Sequence, residues 1–169
     1  ADAAEDDREY PEISAAAEDD LKPSVDHFLT VLFAYSAPII RGAAEIAQSL
    51  LMQMETMYQA GNDDVKPTYR CFIVCLDILV KSGERDAAVK AEQVLDRLED
   101  MYLNDINSEL NNYGYNLVMN AWARSGDKIA FTKAQKIMDR MHTVYNDTQN
   151  EAIRPDKVSY TALMNALIN

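Results

Sequence analysis

Apolar residues in this chain follow two periods at once. The short period is helical. Tyr115, Val118, Met119 and Trp122 fall at i, i+3, i+4 and i+7, which is one face of a helix. After Ser125-Gly126-Asp127 the same spacing returns in Ala130, Ala134, Ile137, Met138 and Met141. Gly126 suits the left-handed residue that stops a helix, and Asp127 suits the N-cap of the next. The long period is 43 to 45 residues. Forty-three residues before Tyr115, Ala130, Ala134, Ile137, Met141 and Tyr145 stand Phe72, Ala87, Ala91, Val94, Leu98 and Tyr102. Another 44 residues back stand Phe28, Ala43, Ala47, Leu50, Met54 and Tyr58, and 45 residues beyond Tyr115 the run Tyr160 to Ala166 opens a further copy.

A recurring helix-turn-helix unit predicts an all-α chain of stacked hairpins, because one hairpin alone leaves its apolar stripes wet. The units are 24–67, 68–111 and 112–156, followed by 157–169 as the first helix of a fourth. Helices are predicted near 25–37, 43–59, 69–81, 86–104, 113–124, 128–147 and 157–168. Ser82-Gly83 makes the turn of the second unit. In the first, Ser36-Ala37-Pro38 replaces it, with Ser36 as a cap and Pro38 opening the second helix. Pro67 and Pro155 end the second helices of units one and three, and Leu110 fills that slot in unit two. Trp122 reads as core, and Tyr58, Tyr102 and Tyr145 as packing between units. The stripe of Tyr160, Leu163, Met164 and Leu167 has no second helix to cover it, which suggests a fragment of a longer protein.

Composition agrees with helices: 48% apolar residues, with only five Gly and five Pro among 169 residues. The net charge of −12 is concentrated at the start. Residues 1–23 hold nine acids against Arg8 and Lys22, leaving −5 for the other 146. That leader reads as solvated and disordered. So acidic a chain is not expected to bind duplex DNA, since nonspecific affinity comes from Lys and Arg at phosphates. No apolar run reaches the length of a membrane span, the best being Phe28 to Ile40. The leader is the opposite of an Arg-rich transit peptide.

The pattern resembles the pentatricopeptide repeat family. The resemblance rests on Tyr115-Asn116-Leu117-Val118, Ser125-Gly126, Ala130, Ala134, Met141, Pro155-Asp156 and Val158 to Met164, and covers about 24–169. Units of 43 to 45 residues are about eight to ten longer than is usual in the family, with the excess after the second-helix core. The resemblance implies a right-handed α-solenoid and single-stranded RNA binding in a mitochondrion or plastid, in RNA processing, stability or translation. In such repeats two or three side chains read one base. Carried over, Asn116 and Asp156 read a base, the pairing that goes with uracil, and Thr161 opens the next reading pair. Tyr113 and Val158 sandwich the base, and Lys81 and Arg124 touch phosphates. An amide offers both a donor and an acceptor to a pyrimidine edge. Units one and two carry Leu29 with Thr68, and Ile73 with Asn111, in the reading slots. An apolar reader cannot hydrogen-bond a base.

Each of these residues also has a plainer role. Asp156 after Pro155 suits an N-cap, Asn116 a backbone-satisfied helix residue, and Lys81 and Arg124 surface charges. Cys71 and Cys75 share a helical face without the partners of a zinc site, and His27 and His142 are isolated. No catalytic pair, phosphate loop, metal or cofactor is expected, so the chain reads as a non-enzyme. A second reading keeps the fold and changes the partner. The acidic charge, Leu29 and Ile73, and the open C-terminal stripe suit a protein-binding scaffold of an organelle assembly, with the partner on the concave face or on the last helix.

Overall fold

The computed structural model describes residues 22–37, 40–105 and 108–168. These residues form seven α-helices, with two 3-10 turns and no strand among them: α1 (Val25–Tyr35), α2 (Ala43–Gln59), α3 (Tyr69–Ser82), α4 (Ala87–Asn104), α5 (Asn112–Ser125), α6 (Ala130–Thr148) and α7 (Lys157–Ile168). The fold is all-α. The expected disorder of the leader falls outside the described residues except at Lys22 and Pro23. Pro38 and Asn169 fall outside them too.

Gly83 and Gly126 end α3 and α5 in the left-handed region, at φ +69° and +66°. There a Cβ would press on the carbonyl, which is why glycine fits. Asp127 is not the expected N-cap: its Oδ1 accepts the Ile129 N–H at 3.1 Å and shapes the turn, while the N-cap of α6 is Ile129, so the helix starts at Ala130, two residues later than predicted. The first unit differs from expectation. Ser36 is the C-cap of α1, its hydroxyl donating to the Phe33 carbonyl at 2.8 Å, so α1 stops before residue 37. The N-cap of α2 is Gly42, at φ +74°. A serine hydroxyl competes for the last free carbonyls of a helix as readily as it caps the next one.

The second helices hold 17, 18 and 19 residues against 11 to 14 in the first helices of the same units. Part of the long period is therefore extra second helix. The rest is loop, including the 3-10 turns Asp63–Val65 and Glu151–Ile153, which bury Val65 and Ile153. Asn62 and Asn150 build these turns alike, each side chain accepting the N–H two residues on.

Each helix packs on its chain neighbour, and the first helices also pack on one another: α1 on α3, α3 on α5, α5 on α7. Leu32, Leu51, Met54, Phe72, Leu76, Leu79, Leu98, Tyr115, Met119, Trp122 and Ile137 fill the space between. Each leucine-sized side chain so buried stabilises by about 1.5–3 kcal/mol. Gly114 sits where α5 meets α3 and α4, and a Cβ there would be in ordinary contact, 3.5 Å from Ile73 Cδ1 and from Leu98 Cδ2.

Charges stitch the second helices in one direction, the cation always on the later helix. Lys90 and Arg97 on α4 reach Glu45 and Glu55 on α2. Lys133 on α6 reaches Glu92 on α4 at 3.0 Å, and Arg140 reaches Glu99 at 2.5 Å and Asp96 at 2.7 Å. Glu92 also accepts the Trp122 indole N–H at 3.1 Å, which ties α4, α5 and α6 at one point.

Candidate nucleic-acid interface

The first turns of α3, α5 and α7 lie side by side. The Tyr69 hydroxyl donates to Asn111 Oδ1 at 2.5 Å, and that oxygen also accepts the Tyr113 N–H at 2.9 Å. The Asn112 amide donates to the Arg154 carbonyl at 3.3 Å and to Asp156 Oδ2 at 3.2 Å. Burial pushes the Tyr69 phenol up to about 12, against the opposing pull of its Asn111 hydrogen bond. Exposed residues follow those contacts, one place on in α3 and α5 and two places on in α7. Tyr113 is 50% exposed and Val158 53%. The same slot in α3 holds Arg70, whose guanidinium lies over the Phe33 ring at 4.9 Å.

An exposed row therefore runs across the first helices: Phe33, Arg70, Tyr113, Val158. Arg70 and Phe33 were missing from the residues singled out in the sequence. Arg70 was legible by register, standing 43 residues before Tyr113. Phe33 was not, because only the packing of α1 on α3 brings it beneath Arg70. Flat faces and a delocalised cation suit stacking of planar bases.

The reading slots lie deeper. Leu29 is buried, Ile73 packs against the core, and Asn116 is 3% exposed. The Asn116 Oδ1 is enclosed without a hydrogen-bond partner, so its amide presents no edge to solvent. Asp156 is exposed and caps α7: its Oδ1 accepts the Ser159 N–H at 2.9 Å, and Ser159 Oγ accepts the Asp156 N–H at 3.1 Å. The Ser159 N–H is the main cause holding the Asp156 carboxyl below its usual value, opposed by partial desolvation and helped by the Ser159 hydroxyl, the Val158 N–H and the Asn116 amide. Asn116 and Asp156 are thus neighbours, one beneath the other. Thr161 is exposed, and its hydroxyl donates to the Lys157 carbonyl at 2.7 Å.

Lys81 and Arg124 share a shallow cavity of about 380 Å³ with Tyr35, Ile40 and Ile78. Lys81 spends its charge on Asp77 at 2.5 Å, whereas Arg124 makes no ion pair among the described residues. Arg124 stands 11 residues along α5 from Tyr113, about 16 Å at the helical rise.

Burial pushes the Cys75 thiol up to about 12, so it carries no thiolate at neutral pH. Among the described residues no group of three or more His, Cys, Asp or Glu is arranged to hold a metal ion, and no helix is long and apolar enough to cross a membrane. Compared with protein-family models, curated proteins and solved structures, the chain gives a match to none of the three.

Proposed function

We propose that this chain is a single-stranded RNA-binding helical-repeat protein. It is a right-handed α-solenoid of three hairpins plus the first helix of a fourth, with RNA lying across the first helices. The observation that carries this reading is the exposed row of Phe33, Arg70, Tyr113 and Val158. Tyr113 and Val158 flank a base, Arg70 stacks and neutralises, and Arg124 meets the backbone at the far end of α5, joined by Lys81 on α3 when it exchanges Asp77 for a phosphate. Base-edge reading by Asn116, Asp156 and Thr161 is a smaller part. Asp156 is accessible, but Asn116 contributes only when the start of α7 shifts off it. The resemblance to pentatricopeptide repeats supplies the setting, RNA processing, stability or translation in a mitochondrion or plastid.

A stacked base contributes about 1–3 kcal/mol. One such base with two phosphate contacts gives a dissociation constant near the millimolar range, about −4 kcal/mol. Titration with uridine-containing and adenosine-only oligonucleotides reads the stacking and the edge contact separately. The Arg70→Ala/Tyr113→Ala double variant is expected to weaken both complexes at least about fivefold, with a salt dependence that falls on losing Arg70. Binding unchanged in that double variant contradicts the interface. A uridine preference abolished by Asn116→Ala supports edge reading, and equal binding of both oligonucleotides contradicts it.

The acidic balance of the chain favours a second reading, a protein-binding scaffold of an organelle assembly, because an excess of carboxylates opposes an RNA backbone. Partners retained on the chain after nuclease treatment would support it, and partners lost with the RNA would contradict it.

A further inference from the structure

The three turns inside the hairpins are closed alike. The Ala43, Ala87 and Ala130 N–H groups donate to the Ile40, Glu84 and Asp127 carbonyls, at 3.2, 3.2 and 2.9 Å. The second residue of each turn is a cation: Arg41, Arg85 and Lys128, at intervals of 44 and 43 residues. All three are exposed, and none makes an ion pair among the described residues. Because α1, α3 and α5 pack side by side, the turns that follow them fall along one edge.

The carboxylates of these turns are occupied elsewhere. Glu84 and Asp86 hold Lys90 at 2.9 and 3.0 Å, and Asp127 Oδ1 accepts the Ile129 N–H. Arg124, at the end of α5, is a fourth exposed cation without an ion pair among the described residues. It lines a hollow of about 180 Å³ together with Arg85, Gly83 and Ser125. Glu84 lines it too, and its carboxylate is the one that Lys90 holds. The opposite edge differs. Its loops, 60–68, 105–111 and 149–156, hold six acids against Lys66 and Arg154. A polyanion is repelled from that edge and drawn to the turns. A nucleic-acid backbone carries a charge on every nucleotide, so cations repeated at a fixed interval suit it. We infer that the turn edge is a track for the phosphodiester backbone of a single strand. Arg41, Arg85 and Lys128 supply one phosphate contact per hairpin, and the hollow between Arg85 and Arg124 seats one phosphate. The inference rests on the RNA reading and adds to it contacts that carry no base preference.

A labelled oligouridylate titrated into the full chain at several salt concentrations, followed by fluorescence anisotropy, tests the track. In Arg41→Gln/Arg85→Gln/Lys128→Gln the affinity at low salt should fall at least about tenfold. The slope of log affinity against log salt should become shallower by about 2, since each phosphate contact on a single strand is worth about 0.7. Arg85→Gln alone should change the slope by about 0.7, and it carries the test if circular dichroism shows the triple variant unfolded. Lys136→Gln removes an exposed cation of α6 that makes no ion pair among the described residues, and it should leave affinity and slope near those of the parent. RNA bound by the parent, with affinity and slope unchanged in the triple variant, would overturn the inference and leave the RNA reading standing. A parent that binds no RNA removes that reading and the inference with it. A loss in Lys136→Gln equal to that in Arg85→Gln would show that net charge alone matters and would overturn the track. A polyglutamate peptide that displaces the RNA at equal concentration would make an acidic protein segment the occupant and overturn the choice of RNA.

Discussion

At the scale of single residues, the least comfortable group is the Tyr115 hydroxyl. It is fully buried and faces the Glu99 carboxylate, whose Oε2 Arg140 holds and whose Oε1 is enclosed with no other partner. Burial foremost, then the Glu99 charge and the pull of that carboxylate as a hydrogen-bond acceptor, push its phenol well above the ordinary tyrosine value of 10.0. An acid raised in the folded state gives stability that is fully present below its unfolded value and is lost as pH rises towards the folded one. Tyr115→Phe should therefore flatten the fall in stability above about pH 10. At neutral pH it should lower stability by about 1 kcal/mol, since it removes the one group that faces the buried Glu99 Oε1. Urea unfolding at pH 7 and pH 10.5 measures both, and a gain in stability at pH 7 would mean that the hydroxyl and Glu99 do not hold each other. Nothing in the sequence shows this contact. Tyr115 reads as a plain core aromatic, because the charge that faces its tip comes from α4 and α6.

At the scale of elements, the turns show what local sequence can and cannot say. Gly83 and Gly126 are legible because a left-handed stop needs a residue without a Cβ, and both fall where the apolar stripe ends. A Cβ on Gly126 would meet nothing within 4 Å, so the cost of Gly126→Ala is purely conformational. It should lower stability by about 1 kcal/mol, read as a shift in the denaturation midpoint at unchanged slope. A loss above about 3 kcal/mol would show that the turn also packs on something. The first unit was less legible, since Ser36 can serve either helix end and chooses the carbonyl side. The 3-10 turns at Asp63–Val65 and Glu151–Ile153 were hidden for another reason. Their Asn side chains act on the backbone two residues away and leave no apolar period. The slots of Leu29, Ile73 and Asn116 are base-reading slots by resemblance. In this fold they face the core, Ile73 against Gly114 and Asn116 beneath the start of α7.

At the scale of the whole molecule, net charge and local charge differ, and position separates them. The acidic balance is heaviest in residues 1–23, and many carboxylates of the second helices are consumed in the ladder to Lys90, Arg97, Lys133 and Arg140. The Glu84 carboxylate is the main cause raising Lys90 above its usual value. Arg70 and Arg124 stand apart from that ladder on the first helices, where the exposed aromatics are. The repeat period and the helix pairing were open to a reader of the sequence. The row from Phe33 to Val158 was not, because it combines different helix positions from successive units. The most direct measurement of the account is zero-length photocrosslinking of the full chain to a 4-thiouridine oligonucleotide, with the linked residues mapped by mass spectrometry. The account predicts links at Tyr113 and Phe33, on the first helices, that fade in Arg70→Ala. Links confined to α2, α4 and α6, or none above a bovine albumin control, would contradict it.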